Sequence, residues 1–273
     1  MTGSRFFFKD IWVRLINVHT YRTRFKKEIV AEFLPPRRAR GKLPKKDKVI
    51  ILCGGMPGSP SKGTILEFFA KKGFWAFAPR YRGSWESGGT FLKYSPEKDI
   101  LDVIGELPKG FRVMSVKGNK TFQVKPAAVY LIAGSFGGPA GILASRNPRV
   151  KKVVAISPVV EWRAPSKAEP LGWLEKYVRY GFGNGYRFGH KEWAKLKTGK
   201  FYNPMTHWRG IDGRKLLIYH AKDDGSVRWR EVAKFARLTG AKLVLRKTGG
   251  HLSSTIITKP AEWRRVSKFL KSK

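Results

Sequence analysis

A serine within a run of small residues is the first candidate for chemistry in this sequence. Ser135 lies in the run Ala-Gly-Ser-Phe-Gly-Gly, residues 133–138, after an apolar stretch and before helix-forming residues. Small neighbours allow a serine to occupy a strained turn between a strand and a helix, which lifts its hydroxyl out of the sheet. The pattern predicts a nucleophile, and a turn serine without a chemical role is the alternative reading.

A carboxylate and a histidine follow the serine in chain order. The apolar run 215–220 predicts a buried strand, and Asp223 and Asp224 lie in the turn after it. A second short strand, residues 242–246, is followed by Gly-Gly and His251. A histidine that accepts the serine proton, oriented by a carboxylate, would convert Ser135 into an acyl-transfer nucleophile. Both aspartates are candidates for the acid, and a surface-loop histidine or a solvated turn carboxylate is the alternative for each partner.

These motifs together resemble the α/β-hydrolase superfamily, in particular its single-domain prolyl oligopeptidase and dienelactone hydrolase-like group. Residues 220–227, His-Ala-Lys-Asp-Asp-Gly-Ser-Val, match the group's His-Gly-x-x-Asp-x-x-Val. Residues 250–251, Gly-His, match its ending after the last strand, and Tyr-Arg-Gly-Ser at 81–84 matches its segment after the fourth strand. The resemblance covers the chain from about Ile29 onward.

The resemblance implies an α/β-hydrolase fold and a serine hydrolase with the triad Ser135, His251 and Asp224. Two positions depart from the group's pattern. Ala133 stands where glycine is commoner, and Arg228 stands where proline usually follows the valine. Neither change removes a chemical group, although the adjacent Asp223 leaves the identity of the acid open.

An oxyanion hole requires two backbone N–H donors near the serine. The residue after the nucleophile supplies one donor in this arrangement, which here is Phe136. The second comes from the loop after the third strand, Gly-Gly-Met-Pro-Gly at 54–58, and similarity to the group's His-Gly-x-Pro-Gly loop assigns it to Met56. The alternative is that the two glycines merely end a strand.

Strand and helix patterns alternate from about residue 47 to residue 160, which predicts an α/β fold with a mostly parallel sheet covered by helices on both faces. A chain of 273 residues fits a single domain, 1–273. The segment Glu28–Leu34 reads as an edge strand, and the basic, proline-containing stretch 35–46 reads as a solvated connection. The alternation stops between about 161 and 210, which predicts a small helical cap inserted into the domain.

Aromatic residues are dense in this predicted cap. Rings in such an insertion either line an acyl pocket or pack the cap onto the sheet. The hypothesis of an aromatic-lined pocket concerns Trp162, Trp173, Tyr177, Tyr180, Phe182, Tyr186, Phe188, Trp193, Phe201, Tyr202 and Trp208.

The chain is strongly basic. It has 56 Lys and Arg against 19 Asp and Glu, a formal net charge of +37. Such a charge attracts polyanions, so a nucleic-acid- or polyanion-associated protein on a hydrolase scaffold is the alternative function, and an anionic membrane surface is a weaker one. The basic residues are scattered along the whole chain, and no nucleic-acid-binding module is recognisable.

Several features limit the remaining function classes. The five histidines lack metal-ligand spacing and no phosphate-binding loop is present, so we expect neither a metal nor a cofactor. The segment Arg5–Trp12 lacks the apolar region and cleavage site of a signal peptide, which predicts a cytoplasmic protein. No run reads as a transmembrane helix. We expect a carboxylic ester substrate rather than a peptide, because the 273 residues hold no large additional domain of the kind that prolyl oligopeptidase-like enzymes use to select peptides.

Overall fold

Eight strands form one sheet that positions every candidate residue. The computed structural model describes residues 19–37, 46–114 and 120–272. In these residues the sheet has the order β1-β2-β4-β3-β7-β8-β9-β10, and β5 and β6 form a separate short hairpin. The strands are β1 Tyr21–Phe25, β2 Ile29–Leu34, β3 Lys48–Cys53, β4 Trp75–Pro79, β5 Phe111–Arg112, β6 Thr121–Phe122, β7 Ala128–Gly134, β8 Val150–Ile156, β9 Leu216–Ala221 and β10 Lys242–Arg246.

The six strands from β4 to β10 along the sheet are parallel, whereas β2 runs antiparallel to β4 and β1 antiparallel to β2. Parallel neighbours require crossover helices that cover both faces, so the inner strands are buried on both sides. This explains why β3, β7, β8 and β9 have nearly continuous apolar sequences. The carboxyl ends of these strands meet at one edge, where such sheets bind ligands.

Helices pack on both faces of the sheet. Two of them bury apolar side chains in a cluster on one face, and three others pack in a larger cluster that also includes residues of the inserted segment. In chain order the helices are α1 Gly63–Lys71, α2 Glu97–Glu106, α3 Gly137–Ala144, α4 Leu171–Phe182, α5 His190–Lys197, α6 Trp229–Thr239 and α7 Pro260–Lys271. Helices α1 and α7 cover one face, and α2, α3 and α6 cover the other. The mostly parallel α/β sheet expected from the sequence is therefore present.

The expected edge strand is not at the edge. β2 is buried along its whole length because β1 pairs with it on its outer side. Only Thr23 and Phe25 of β1 are buried, so its sequence, Tyr-Arg-Thr-Arg-Phe, carries a weak alternating signal. The aromatic N-terminal segment Arg5–Trp12 and most of the basic stretch 35–46 lie outside the described residues.

The segment 161–210 contains helices α4 and α5 and two 3₁₀ helices, Gly183–Gly185 and Pro204–Gly210, and it lies between β8 and β9. Its three most exposed rings, on Trp173, Tyr177 and Tyr180, lie along one side of α4. In the described ranges no helix combines the length and apolarity needed to cross a bilayer.

Candidate active site

Ser135 occupies a strained turn between β7 and α3. Its φ angle is +50°, a value that non-glycine residues rarely adopt. Hydrogen bonds fix this geometry: the Ser135 N–H donates to the Ile156 carbonyl at 3.0 Å, and the Ser135 carbonyl accepts from Gly138 N–H at 2.8 Å and Val159 N–H at 3.2 Å. The turn therefore holds the serine side chain at the carboxyl edge of the sheet.

The turn lies very close to the end of β3. A Cβ atom added to Gly137 would lie 2.1 Å from the Cys53 carbonyl oxygen, which is backbone and has little freedom to move. Only glycine allows this approach of the helix start to the neighbouring strand.

Replacing Gly137 by alanine should therefore lower the free energy of unfolding by about 3 kcal/mol or more, or prevent cooperative folding, because the added methyl group displaces backbone. Gly172→Ala is the matched control, since nothing lies within 4 Å of an added Cβ in that exposed helical position. It should change the free energy by no more than about 1 kcal/mol, with an increase expected. Urea unfolding of both variants measures the difference, and equal stabilities would contradict the close approach.

Tyr202 of the inserted segment holds the same turn. Its hydroxyl donates to the Phe136 carbonyl at 2.7 Å and accepts from Ala140 N–H at 3.2 Å, and the residue is almost fully buried. Burial raises the pKa of this phenol well above its usual value, so the hydroxyl keeps its proton and remains a donor. From the sequence, Tyr202 is expected only among the aromatics that could line the pocket, and its hydrogen bonds to the serine turn carry no sequence signal.

Asp224 is a buried carboxylate at the end of β9. It accepts hydrogen bonds from Ser226 N–H and Val227 N–H, both at 2.9 Å, and its oxygens lie 2.9 and 3.1 Å from His251 Nδ1. Burial alone would raise the pKa of Asp224, but the bond from His251 and the backbone donors outweigh burial, and the pKa is lowered. Asp224 is thus held ionised against the imidazole.

Asp223 has a different environment although it is adjacent. It is exposed, and its carboxylate accepts from Gly250 N–H at 2.9 Å and Gly249 N–H at 3.1 Å. These backbone donors lower its pKa. Asp223 therefore holds the loop that carries His251, and in the described residues the imidazole is hydrogen-bonded to Asp224 and not to Asp223.

The residues that follow His251 pack against the serine turn and the end of β8. Leu252 N–H donates to the buried Ser157 Oγ at 3.0 Å, and an added Cβ on Gly134 would meet Ser254 Oγ at 2.5 Å. The imidazole is about one third exposed. Burial lowers its pKa, but the hydrogen bond and charge of Asp224, together with the charge of Glu169, raise it by more, so the pKa lies above the ordinary histidine value.

A second histidine, His220, lies next to Asp224. His220 is fully buried, and its Nε2 donates to the Val227 carbonyl at 3.0 Å while lying 3.7 Å from an Asp224 oxygen. Burial lowers its pKa, which favours the neutral ring. His220 thus braces the turn 224–227 without adding a charge to it.

Met56 and Phe136 lie beside Ser135. Both residues line a cavity together with the serine, and an added Cβ on Gly55 would lie 3.3 Å from the Ser135 Cβ. No hydrogen bond of the described residues is donated by the backbone N–H of Met56 or Phe136. The loop 54–58 therefore packs directly on the serine turn with two uncommitted donors nearby.

The cavity has a volume of about 410 Å³ and extends from Ser135 beneath the inserted segment. Among the described residues that line it, Trp162 is the only aromatic of the eleven named for the cap; the others pack elsewhere or are exposed. Most of the apolar lining residues are aliphatic instead; the apolar lining residues are Met56, Phe136, Val159, Val160, Trp162, Ala164, Pro165, Pro170, Leu171, Leu174 and Val227.

Ser135, Asp224 and His251 follow β7, β9 and β10, so all three lie at the carboxyl edge of the sheet. His251 contacts Asp224, but within the described ranges no hydrogen bond joins the Ser135 hydroxyl to His251. These ranges also contain no group of three or more His, Cys, Asp or Glu side chains arranged to hold a metal ion. The contacts of Tyr202 and Ser157 with the serine turn and the His251 segment, and the bracing role of Asp223, were not predicted from the sequence, because they join segments far apart in the chain.

Solved structures share this architecture. No protein-family model matches the chain, and no curated protein matches it in sequence at a significant level. An esterase of Pyrococcus furiosus is similar with a TM-score of 0.63 and 20% identity, over 99% of this chain and 95% of that one. Est1E of Butyrivibrio proteoclasticus, whose structure has ferulic acid bound, matches with a TM-score of 0.64 and 17% identity, over 92% of this chain and 99% of that one.

An acylaminoacyl peptidase of Pyrococcus horikoshii is also similar, with a TM-score of 0.60 and 18% identity. The match covers 95% of this chain but 42% of the peptidase. Together with the sheet topology, these likenesses show that the chain has the α/β-hydrolase fold.

Proposed function

We propose that this protein is a serine hydrolase that cleaves carboxylic esters through a seryl acyl-enzyme. The observation that carries the proposal is the hydrogen bond between His251 Nδ1 and the buried, ionised Asp224, on a loop packed against the strained Ser135 turn. A buried carboxylate paired with a partly exposed imidazole and a strained serine turn have little structural justification, because strain and buried charge both cost stability. Such costs are typical of catalytic sites.

In this mechanism His251 is the general base. Asp224 binds Nδ1, which leaves Nε2 free to accept the proton of the Ser135 hydroxyl as its oxygen attacks the ester carbonyl carbon. The raised pKa of His251 favours this transfer, and the Asp224 carboxylate stabilises the imidazolium that forms. Hydrogen bonds between the nucleophile and the base are often long in unliganded sites and shorten when the substrate binds.

The tetrahedral intermediate then collapses. The carbon–oxygen bond to the alcohol breaks, the imidazolium donates its proton to the leaving alkoxide, and the acyl group remains on Ser135. Water activated by His251 attacks this acyl-enzyme and releases the acid. The backbone N–H groups of Met56 and Phe136 would stabilise the oxyanion during both acylation and deacylation. Loss of one such donor typically lowers the rate on the order of a hundredfold.

An ester is the favoured substrate for two reasons. The cavity that adjoins Ser135 has a volume of about 410 Å³ and lies beneath the chain's own inserted segment, which suits a small acyl group. The similar esterase is matched over 95% of its length, whereas the similar peptidase is matched over 42%.

The experiment that tests the proposal is turnover of p-nitrophenyl esters, with p-nitroanilides as the amide comparison. We expect esters to be hydrolysed with a stoichiometric burst of p-nitrophenol, and quenched protein to gain the mass of one acyl group. The rate should fall on the acid side with a midpoint above about 6.5, the ordinary histidine value, because Asp224 raises the pKa of the base. Absence of turnover with every ester, or turnover without an acylated protein, would contradict the proposal.

A further inference from the structure

The inserted segment 161–210 contacts the start of α3 through a buried tyrosine hydroxyl. Tyr202 Oη lies between Ala140 N–H, from which it accepts at 3.2 Å, and the Phe136 carbonyl, to which it donates at 2.7 Å. An N–H and the carbonyl four residues before it are the two groups that a hydrogen bond joins in the first turn of a helix. The hydroxyl therefore holds the residue whose N–H is the first proposed oxyanion donor.

The two peptide planes on either side of Phe136 Cα are both fixed. The Ser135 carbonyl shares a peptide plane with the Phe136 N–H and accepts bonds from the backbone of residues 138 and 159. Tyr202 binds the carbonyl of the next plane, and the Phe136 ring packs against the rings of Tyr202 and Tyr81, with centroids 5.1 and 5.8 Å apart. Removal of the Tyr202 hydroxyl would free one of the two planes.

The loop with the second proposed donor is bound in a similar way. Gly58 N–H donates to Tyr186 Oη at 3.2 Å, and Tyr81 Oη donates to the Gly54 carbonyl at 3.3 Å. Met56 lies between these two points of the loop. Tyrosine hydroxyls therefore bind the backbone on both sides of the residue that carries the donor.

The tyrosines of the inserted segment fall into two pairs. Tyr177 and Tyr180 are exposed, whereas Tyr186 and Tyr202 are buried, and each buried hydroxyl binds the backbone of a different donor-bearing loop. Burial raises the pKa of Tyr186 and Tyr202, so both hydroxyls keep their protons at neutral pH. Among the described residues that line the cavity there is neither Tyr186 nor Tyr202, so their hydroxyls act on the site through the backbone.

We propose that Tyr186 and Tyr202 are positioning residues through which the inserted segment holds the N–H groups of Met56 and Phe136 at the spacing that the oxyanion requires. This inference rests on the proposed esterase function. Donors of this kind bind the negative oxygen of the tetrahedral intermediate more strongly than the carbonyl oxygen of the substrate. A displaced donor therefore lowers kcat and leaves KM nearly unchanged.

The test uses Tyr186→Phe and Tyr202→Phe, which keep the ring and remove the hydroxyl. We expect each variant to lower kcat for p-nitrophenyl esters roughly tenfold, with KM changed by less than about threefold. The double variant should lose about a hundredfold, because the two hydroxyls act on different donors. An alkyl trifluoromethyl ketone forms an oxyanion when it adds to a serine, so its Ki should rise in proportion to the fall in kcat/KM.

The pH dependence separates this role from an effect on the triad. The acid limb should keep its midpoint in both variants, because the pair of His251 and Asp224 is intact. Tyr130→Phe is the matched control, since it removes a buried tyrosine hydroxyl on the opposite face of the sheet. Thr23→Val is a second control, since it removes a buried hydroxyl that donates to the Arg112 carbonyl at 2.8 Å, on the outermost strand β1. Both controls should leave kcat and Ki unchanged.

Thermal unfolding reports whether each variant is folded. Tyr81→Phe, which frees the other end of the Met56 loop, should show the same pattern and provides the test of that loop if Tyr186→Phe does not fold. Folded variants that keep the kcat of wild type, that lose activity through KM, or whose Ki does not follow kcat/KM overturn this inference alone, as does an equal loss in the controls. A wild type that hydrolyses no ester overturns the proposed function as well.

Discussion

Ser135→Ala should lower kcat for p-nitrophenyl ester hydrolysis by about a millionfold while the protein stays folded. The loss is this large because nucleophile and base act as a unit, and removal of either costs nearly as much as removal of both. His251→Ala should therefore reduce kcat to a similar extent, and the double variant should be little worse than either single variant. Single-turnover and steady-state rates of the three variants provide the measurement.

Ser166→Ala is the control for the first prediction. Ser166 also lines the cavity, but its hydroxyl accepts a backbone N–H bond from Glu169 at 2.9 Å and sits in an ordinary turn. We expect this variant to retain turnover within about an order of magnitude, since it loses two hydrogen bonds, from Glu169 N–H at 2.9 Å and to the Gly225 carbonyl at 3.5 Å, and no catalytic group. Activity that survives Ser135→Ala, or an equal loss in Ser166→Ala, would mean that another residue is the nucleophile.

The second prediction with a large expected effect distinguishes the roles of the adjacent Asp223 and Asp224. Asp224→Asn should lower kcat by about ten-thousandfold, because an amide cannot stabilise the imidazolium and favours the wrong histidine tautomer. Asp223→Asn should lower it by less than about tenfold, because Asp223 is exposed and binds the backbone of residues 249 and 250 rather than the ring.

The two substitutions remove the same charge at neighbouring positions, so each is the control for the other. The pH dependence gives a second readout: the acid limb of kcat/KM should move to lower pH in Asp224→Asn, because the carboxylate that raises the pKa of His251 is gone. A larger loss in Asp223→Asn than in Asp224→Asn would reverse the assignment of the acid.

The order of strands and helices around the serine could be predicted from the sequence for a physical reason. Strands buried on both faces leave continuous apolar runs, and the small residues around Ser135 mark a turn that larger side chains would prevent. The strand 242–246 was predicted with the observed bounds, and the strand predicted at 215–220 lies one residue later, at Leu216–Ala221. β1 was missed because only alternate residues are buried, which shows little contrast in a five-residue strand.

Contacts between distant segments could not be predicted in the same way. The separate roles of Asp223 and Asp224 depend on which carboxylate faces inward at the end of β9, and adjacent residues of a turn give no sequence signal for this. The residues that line the cavity could not be predicted either, because most aromatic rings of the segment 161–210 pack in the larger hydrophobic cluster on one face of the sheet. Trp193 and Tyr202, for example, are fully buried and do not line the cavity.

The most direct test of the central claim is the site of covalent labelling by a fluorophosphonate, a probe that reacts with activated serine hydroxyls. The account predicts one phosphonyl group per chain, located on Ser135 by peptide mapping, with labelling absent in Ser135→Ala and strongly slowed in His251→Ala. A protein that is folded but not labelled, or that is labelled at a residue other than Ser135, would contradict it.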